Sequence, residues 1–201
     1  MPESYVLYPT QKLKRTGSTL IFGRYLPSYM KEAIWRDKKF VPTYDEYMKN
    51  GIFSSGYMYT TVSFYLGMGD FATKDAFEWL NQIPKAVKAC CMIGRLLNDI
   101  ISHEFEVKRG PVSTALNSHM GQFGTSMEET IKELRSEVEC AWKDLNEAIF
   151  GPITIPRPLL TCTVNLARIL YDVYPDGEDG YTMTQFIRKQ VEMILIEPII
   201  E

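Results

Sequence analysis

Apolar residues recur at helical spacing through most of the chain and are densest in residues 85–109, a run that contains no proline. A continuous apolar stripe over such a length predicts a mostly buried α-helix. Its apolar members are Val87, Ala89, Ile93, Leu96, Leu97, Ile100 and Ile101.

A polar stripe lies on the same predicted helix. At about 100° of rotation per residue, Ser102 lies ~40° and Glu106 ~80° from Asn98. Arg95 falls inside this arc, and Arg109 joins it if the helix lasts that far. Oxygen ligands at this spacing suit a hard divalent cation, Mg²⁺ with Mn²⁺ as an alternative, and an adjacent guanidinium suits a diphosphate.

The alternative is a solvated polar face on an amphipathic helix, which the spacing alone does not exclude. The flanks are too apolar for an outer helix, and this favours a cavity, where buried polar groups need partners. Asp99 lies at the edge of the stripe, ~100° from Asn98. We therefore expect Asp99 to bind a water or a neighbouring arginine rather than the metal.

The rest of the pattern predicts further helices and no linker. Ser126 and Glu129 have the spacing of a capping box, followed by a helix of about 24 residues. Thr43 and Glu46 have the same spacing, and residues 113–123 and 159–174 have helical periodicity. We expect Thr182 to cap a final helix. The prediction is a single all-α domain over residues 29–201, with residues 1–28 as a divergent N-terminal segment.

Residues 51–68 are rich in aromatic and hydroxyl side chains. Adjacent β-branched residues are compatible with a strand, but the helical surroundings favour a helix. The segment forms either ordinary aromatic core or the wall of a cavity, in which aromatic faces would stabilise a cation. Its candidate wall residues are Tyr57, Thr60, Thr61 and Ser63.

Composition excludes several function classes. The net charge of −3, with scattered Lys and Arg, argues against nucleic-acid binding. The four cysteines, at positions 90, 91, 140 and 162, have neither zinc-site nor disulfide-framework spacing. No apolar run reaches membrane length and no signal-peptide layout opens the chain. We therefore expect a cytoplasmic monomer with no membrane span.

The polar stripe resembles the second metal motif of the plant terpene synthases. The match is Leu96-Leu97-Asn98-Asp99-x-x-Ser102-x-x-x-Glu106, preceded by Arg95. Similar stretches run from about residue 29 to the C-terminus: Glu32-Ala-Ile-Trp35, Val41-Pro-Thr-Tyr-Asp-Glu-Tyr-Met48, Phe77-Glu-Trp-Leu80, Ala141-Trp-Lys-Asp144, Asn165-Leu-Ala-Arg168 and Asp179-Gly-Tyr-Thr182.

The resemblance implies the C-terminal part of the helical class I terpene synthase (isoprenoid synthase) fold. It implies Mg²⁺ at Asn98, Ser102 and Glu106, with Arg95 as a catalytic residue. Residues 51–68 correspond to a broken helix that lines the substrate cavity. Residues 174–181 correspond to a loop that closes over the site, with Tyr174 as a pocket residue and Asp179 and Tyr181 as catalytic residues. Without ligand we expect this loop to be mobile, because its acids and glycines bury little apolar surface.

One feature of the resembling family is missing: the sequence contains no Asp-Asp pair, and the family's first acidic motif is Asp-Asp-x-x-Asp. The resemblance implies ionisation of a prenyl diphosphate, farnesyl diphosphate above all, and cyclisation to a sesquiterpene. Thr114 stands where some monoterpene-type members carry Lys, which favours a sesquiterpene relative. The alternative is an inactive helical fragment or interaction module with a vestigial Mg²⁺ site. A chain-elongating prenyltransferase is disfavoured, because it would carry Asp-Asp-x-x-Asp twice.

Overall fold

The computed structural model describes residues 9–110, 112–174 and 177–196, and these contain helices and no β-strand. The helices are α1 (Pro9–Asp37), α2 (Tyr44–Ser54), α3 (Tyr57–Gly67), α4 (Lys74–Asn81), α5 (Lys85–Arg109), α6 (Ala115–Phe123), α7 (Met127–Phe150), α8 (Arg157–Arg168), α9 (Leu170–Val173) and α10 (Arg188–Leu195). Short 3₁₀ turns lie at Gly69–Phe71 and Thr184–Phe186. The all-α prediction is confirmed.

Helix α5 is the centre of the bundle. It packs most extensively along α7 and also contacts α2, α3, α6 and α8, while α1 covers α2, α3 and α4. Its apolar stripe is buried as the sequence predicts, with Val87, Ile93 and Leu96 fully inaccessible. Each such side chain contributes about 1.5–3 kcal/mol through burial, so the polar stripe is carried on a rigid element.

The predicted helix starts are visible as side-chain caps. Ser126 accepts from the backbone of Glu129 while the Glu129 carboxylate accepts from Ser126, so both halves of the capping box form at α7. Thr43 caps α2 by accepting from the Glu46 amide at 3.2 Å. Each contact satisfies backbone groups that the first helical turn leaves without a partner.

Helix is the correct conformation for residues 51–68, although the segment is interrupted. Helix α2 ends at Ser54 and α3 starts at Tyr57, and Gly56 between them has φ +83°. Glycine adopts this left-handed conformation without steric cost, so the chain turns sharply here. The break points the start of α3 toward α5.

Two boundaries differ from the sequence prediction. Residues 159–174 are divided near Ile169 into α8 and α9. The final helix begins at Arg188, so Thr182 does not cap it. The Thr182 hydroxyl donates instead to Asp179 at 2.5 Å, within a turn. Helix α1 runs through residue 28, and the division of the sequence at that residue stays a prediction.

None of the described helices is both long enough and apolar enough to cross a membrane.

Candidate active site

A cavity of about 890 Å³ lies beside α5, at the junction of α2 and α3. Helix α1 and the loop after α9 complete its wall. Nine of the predicted site residues line it: Tyr57, Thr60, Arg95, Asn98, Ser102, Glu106, Tyr174, Asp179 and Tyr181. Residues that are far apart in sequence therefore meet at one site.

The predicted metal ligands face this cavity from one side of α5. Ser102 donates its hydroxyl hydrogen to Glu106 Oε1 at 3.0 Å. Asn98 donates from Nδ2 to the Tyr174 hydroxyl at 2.9 Å, which leaves its Oδ1 oxygen as the free acceptor. The three residues thus present amide, hydroxyl and carboxylate oxygens, the donor type that Mg²⁺ prefers.

Electrostatics at Glu106 favour the arrival of a cation. Burial raises the pKa of its carboxyl, and the nearby Asp99 carboxylate raises it further. The hydrogen bond from Ser102 and the charge of Arg95 act in the opposite direction but do not cancel the shift. A divalent cation beside Glu106 would lower this pKa again, because it stabilises the ionised form.

Asp99 points away from the cavity, as its angular position predicts. It is buried and accepts hydrogen bonds from the Tyr47 hydroxyl at 2.6 Å and the Ala115 backbone amide at 2.7 Å. It also accepts from Arg95 at 3.3 Å. Asp99 therefore ties α5 to α2 and to the start of α6, and the predicted pairing with a neighbouring arginine is present.

Arg95 lines the cavity, but its charge is largely engaged by the protein. Its guanidinium donates to Glu32 at 3.1 Å and to the Ser54 hydroxyl at 3.1 Å, besides Asp99. The side chain is buried, and its Nε has no hydrogen-bond partner among the described residues. The sequence does not predict the pairing of Arg95 with Glu32, because Glu32 lies in another helix and no local pattern links the two residues.

A cluster of tyrosines forms the apolar wall of the cavity. Tyr57, Tyr174 and Tyr181 all line it, and the rings of Tyr174 and Tyr181 meet edge-to-face with their centroids 5.8 Å apart. Burial raises the pKa of Tyr57 and Tyr174 well above the ordinary value, so both stay neutral. Neutral aromatic faces of this kind can stabilise a carbocation.

Gly94 allows Tyr57 to approach α5. A Cβ atom at this position would lie 2.1 Å from the Tyr57 ring, closer than any real contact. The absence of a side chain on α5 therefore sets the position of a residue on α3. The sequence offers no local signal for this, because Gly inside a helix predicts only a weaker helix.

Two predicted pocket residues lie outside the cavity lining. Thr61 is fully buried, with its hydroxyl bonded to the Tyr57 carbonyl oxygen at 2.9 Å. Ser63 is exposed and its hydroxyl bonds the Tyr59 carbonyl oxygen at 3.1 Å. Successive residues of a helix point in different directions, so Thr60 alone of these three hydroxyls reaches the cavity.

The loop after α9 packs tightly against the site. Asp179 is buried and accepts from the amides of Tyr181 at 3.0 Å and Thr182 at 3.3 Å. Gly180 donates to the Val173 carbonyl oxygen at 2.8 Å, and a Cβ on Gly180 would lie 2.3 Å from that oxygen. Asp179 thus shapes the turn that presents Tyr181, and the mobility of the loop without ligand stays a prediction.

The residues present fit one Mg²⁺ only in part. The described residues contain no group of three or more His, Cys, Asp or Glu side chains arranged to hold a metal. Glu106 is the one carboxylate of the predicted ligand set, and Asn98 and Ser102 are neutral. Mg²⁺ is commonly held by one or two carboxylates together with waters and substrate phosphates. This donor set therefore suits an ion that arrives with a diphosphate.

Solved structures define the class of protein. Isoprene synthase from grey poplar (Populus x canescens) superimposes on this chain with a TM-score of 0.81 at 25% sequence identity. The match covers 92% of this chain and 34% of the isoprene synthase chain. The same enzyme in complex with three Mg²⁺ ions and dimethylallyl-S-thiolodiphosphate gives a TM-score of 0.78 over 92% of this chain and 35% of its own, at 24% identity. The fold is that of the class I terpene synthases.

Sequence comparison then establishes the family. Residues 10–144 match the terpene synthase family, metal binding domain. A probable sesquiterpene synthase of Santalum murrayanum is 42% identical over 96% of this chain and 34% of its own. Sesquiterpene synthase 16 of Solanum habrochaites is 44% identical over 86% of this chain and 43% of its own. This chain belongs to the terpene synthase family and spans about a third to two-fifths of the length of these relatives.

Proposed function

We propose that this chain is the C-terminal part of a sesquiterpene synthase catalytic domain and binds a prenyl diphosphate together with Mg²⁺. The observation that carries this proposal is the convergence of Asn98, Ser102 and Glu106 on a cavity walled by tyrosines. The two relatives described above are both called sesquiterpene synthases, which favours farnesyl diphosphate as the substrate.

The chemistry follows from the two sides of the cavity. Mg²⁺ held by Asn98, Ser102 and Glu106 would neutralise the charge that develops on the diphosphate leaving group. The tyrosine wall offers aromatic faces to the allylic cation. Tyr174 contacts both the metal-ligand side and the tyrosine wall of the cavity. Its hydroxyl orients Asn98, and its ring contacts Tyr181.

Calorimetric titration with Mg²⁺ and inorganic diphosphate tests the metal assignment. Glu106→Gln removes the carboxylate of the ligand set, and we expect it to weaken Mg²⁺-dependent binding about tenfold or more. Glu104→Gln is the matched control, because Glu104 lies on the same helix, is exposed and does not line the cavity. Equal binding by both variants would remove the assignment.

A second candidate is a chain that binds the ligand but does not turn it over. The presence of a single carboxylate in the ligand set favours this alternative. The sequence also contains no Asp-Asp pair that could form the family's first acidic motif. We therefore expect little or no terpene when this chain alone is incubated with farnesyl diphosphate and Mg²⁺, as measured by gas chromatography of an organic overlay. Formation of cyclic product at substantial rates would show that other carboxylates replace the missing motif. The first residues to mutate would then be Asp172, Asp176 and Asp179.

A further inference from the structure

Among the described residues, three arginine side chains line the cavity, and two of them have no ion-pair partner there. Arg95 is engaged by Glu32 and Asp99. Arg36, in the last turn of α1, and Arg109, the last residue of α5, form no ion pair with any residue in the described part of the chain. Both are exposed, so a ligand that enters the cavity can reach them.

The carboxylates of the cavity do not balance these two charges. Glu32 is paired with Arg95, and the side-chain oxygens of Asp179 accept hydrogen bonds within the turn that follows it. Glu106 remains, and it is the predicted metal ligand. The site therefore presents two uncommitted cations against one uncommitted carboxylate, an arrangement that attracts a multiply charged anion.

The positions of the two arginines match the metal site. Arg109 follows Glu106 by three residues on the same helix, which places both side chains on one face. The helix does last to Arg109, the condition under which the sequence placed this residue on the polar stripe. Arg36 approaches from α1 and lines the same cavity. Guanidinium groups from two helices therefore line the same cavity as Glu106.

We propose that Arg36 and Arg109 form a two-arginine clamp that binds the diphosphate group of the ligand. This proposal rests on the proposed function for the nature of the ligand and adds residues that bind it. Arginine suits the role because its planar guanidinium can donate two parallel hydrogen bonds to phosphate oxygens. The clamp supplies positive charge in addition to Arg95, whose hydrogen bonds to Glu32 and Asp99 hold it in the wall.

Titration calorimetry with inorganic diphosphate, with and without Mg²⁺ at low ionic strength, tests the clamp. The variants are Arg36→Gln, Arg109→Gln and the double substitution, on the full chain. We expect each single change to weaken binding about three- to tenfold and the double change by more than about tenfold. The loss should shrink at high salt, because exposed charges are screened. Inorganic phosphate should bind more weakly than diphosphate and depend less on the pair.

The matched control is Arg135→Gln, an exposed arginine on α7 that does not line the cavity. It changes net charge equally, and we expect less than about a twofold effect on binding because it is remote from the ligand. A comparable loss in this control would show a general charge effect and overturn the clamp. Far-UV circular dichroism of every variant confirms the helical fold, which substitution of exposed residues should preserve.

The outcomes separate the clamp from the proposed function. Mg²⁺-dependent binding that Glu106→Gln abolishes and the arginine variants leave intact would overturn the clamp alone. Diphosphate binding that needs the arginines but neither Mg²⁺ nor Glu106 would support the clamp and overturn the metal site. Absence of diphosphate binding by the unsubstituted chain would overturn both.

Discussion

Helix α5 carries two groups of polar side chains within a few turns of each other, and the two groups have different surroundings. Arg95 and Asp99 are buried and hydrogen-bonded to residues of α1, α2 and α6. Asn98 and Glu106 are half-buried, and their hydrogen-bond partners are Tyr174 and Ser102 beside the same cavity. We call these the closed pair and the open set, with Ser102 included in the open set.

The comparison shows that one helix can carry polar side chains that hold the fold together and, beside them, polar side chains that remain available to a ligand. The closed pair satisfies its charges with protein partners, so it holds helices together and has little remaining capacity for a ligand. The open set keeps oxygens that face the cavity, and this incomplete coordination is what a metal and a diphosphate can complete. The predictions below test this division.

The largest expected effect is loss of stability when the closed pair is broken. Asp99→Asn removes the charge that faces Arg95 and places amide donors where Tyr47, Ala115 and Arg95 all donate. We expect the free energy of unfolding to fall by about 3–5 kcal/mol, because buried Arg95 loses one of its two carboxylate partners and the donors of Tyr47 and Ala115 lose a charged acceptor. Urea denaturation followed by circular dichroism measures this change. Glu106→Gln, in the open set, should be no less stable than the unsubstituted chain, because the raised pKa of Glu106 means that its ionisation opposes folding. An equal loss of stability in both variants would remove the distinction.

A smaller loss is expected when the wall behind the open set is displaced. Gly94→Ala drives a methyl group into the Tyr57 ring, and Tyr57 lines the same cavity as the Tyr174 that orients Asn98. Overpacking of this kind costs about 1–3 kcal/mol, measured by the same denaturation. Gly121→Ala is the matched control: Gly121 lies in α6 with no atom near its added Cβ, so alanine should stabilise by up to about 1 kcal/mol. Equal behaviour of the two variants would contradict the close approach of Tyr57.

The open set can be weakened with little change in stability. Tyr174→Phe keeps the ring and removes the hydroxyl that accepts from Asn98. We expect the affinity for Mg²⁺ and diphosphate to fall about three- to tenfold, while the free energy of unfolding changes by about 1 kcal/mol or less. Calorimetry and denaturation of the same preparation measure both quantities. A large loss of stability with unchanged affinity would mean that the hydroxyl supports the fold and not the ligand set.

The smallest effect concerns pH. The pKa of Glu106 is raised in the folded chain, so ionisation of this carboxyl opposes folding. Its contribution to stability is greatest while the carboxyl is protonated in both states. That contribution is lost as pH rises from the unfolded pKa, about 4.3, through the higher folded pKa. The Glu106→Gln variant should lack this decline, so its stability advantage should grow across that window and then level off. A constant difference between the two proteins from pH 4 to 7 would contradict the shift.

The sequence alone determined the helices and the ligand stripe. Periodicity, capping residues and proline positions act over a few residues, so α5, α7 and the caps at Thr43 and Ser126 could be predicted from neighbours in the chain. The same spacing placed Asn98, Ser102 and Glu106 on one face and Asp99 beside it. Resemblance to a known motif then supplied the chemistry of that face.

Only the tertiary structure decided which polar groups are available to a ligand. Glu32 engages Arg95 from a distant helix, and Tyr174, 76 positions further along the chain, orients Asn98. Thr61 and Ser63 point away from the cavity because the break near Gly56 sets the rotation at which α3 begins. Burial and pairing depend on which helices meet, and that is set by packing of the whole core rather than by local pattern.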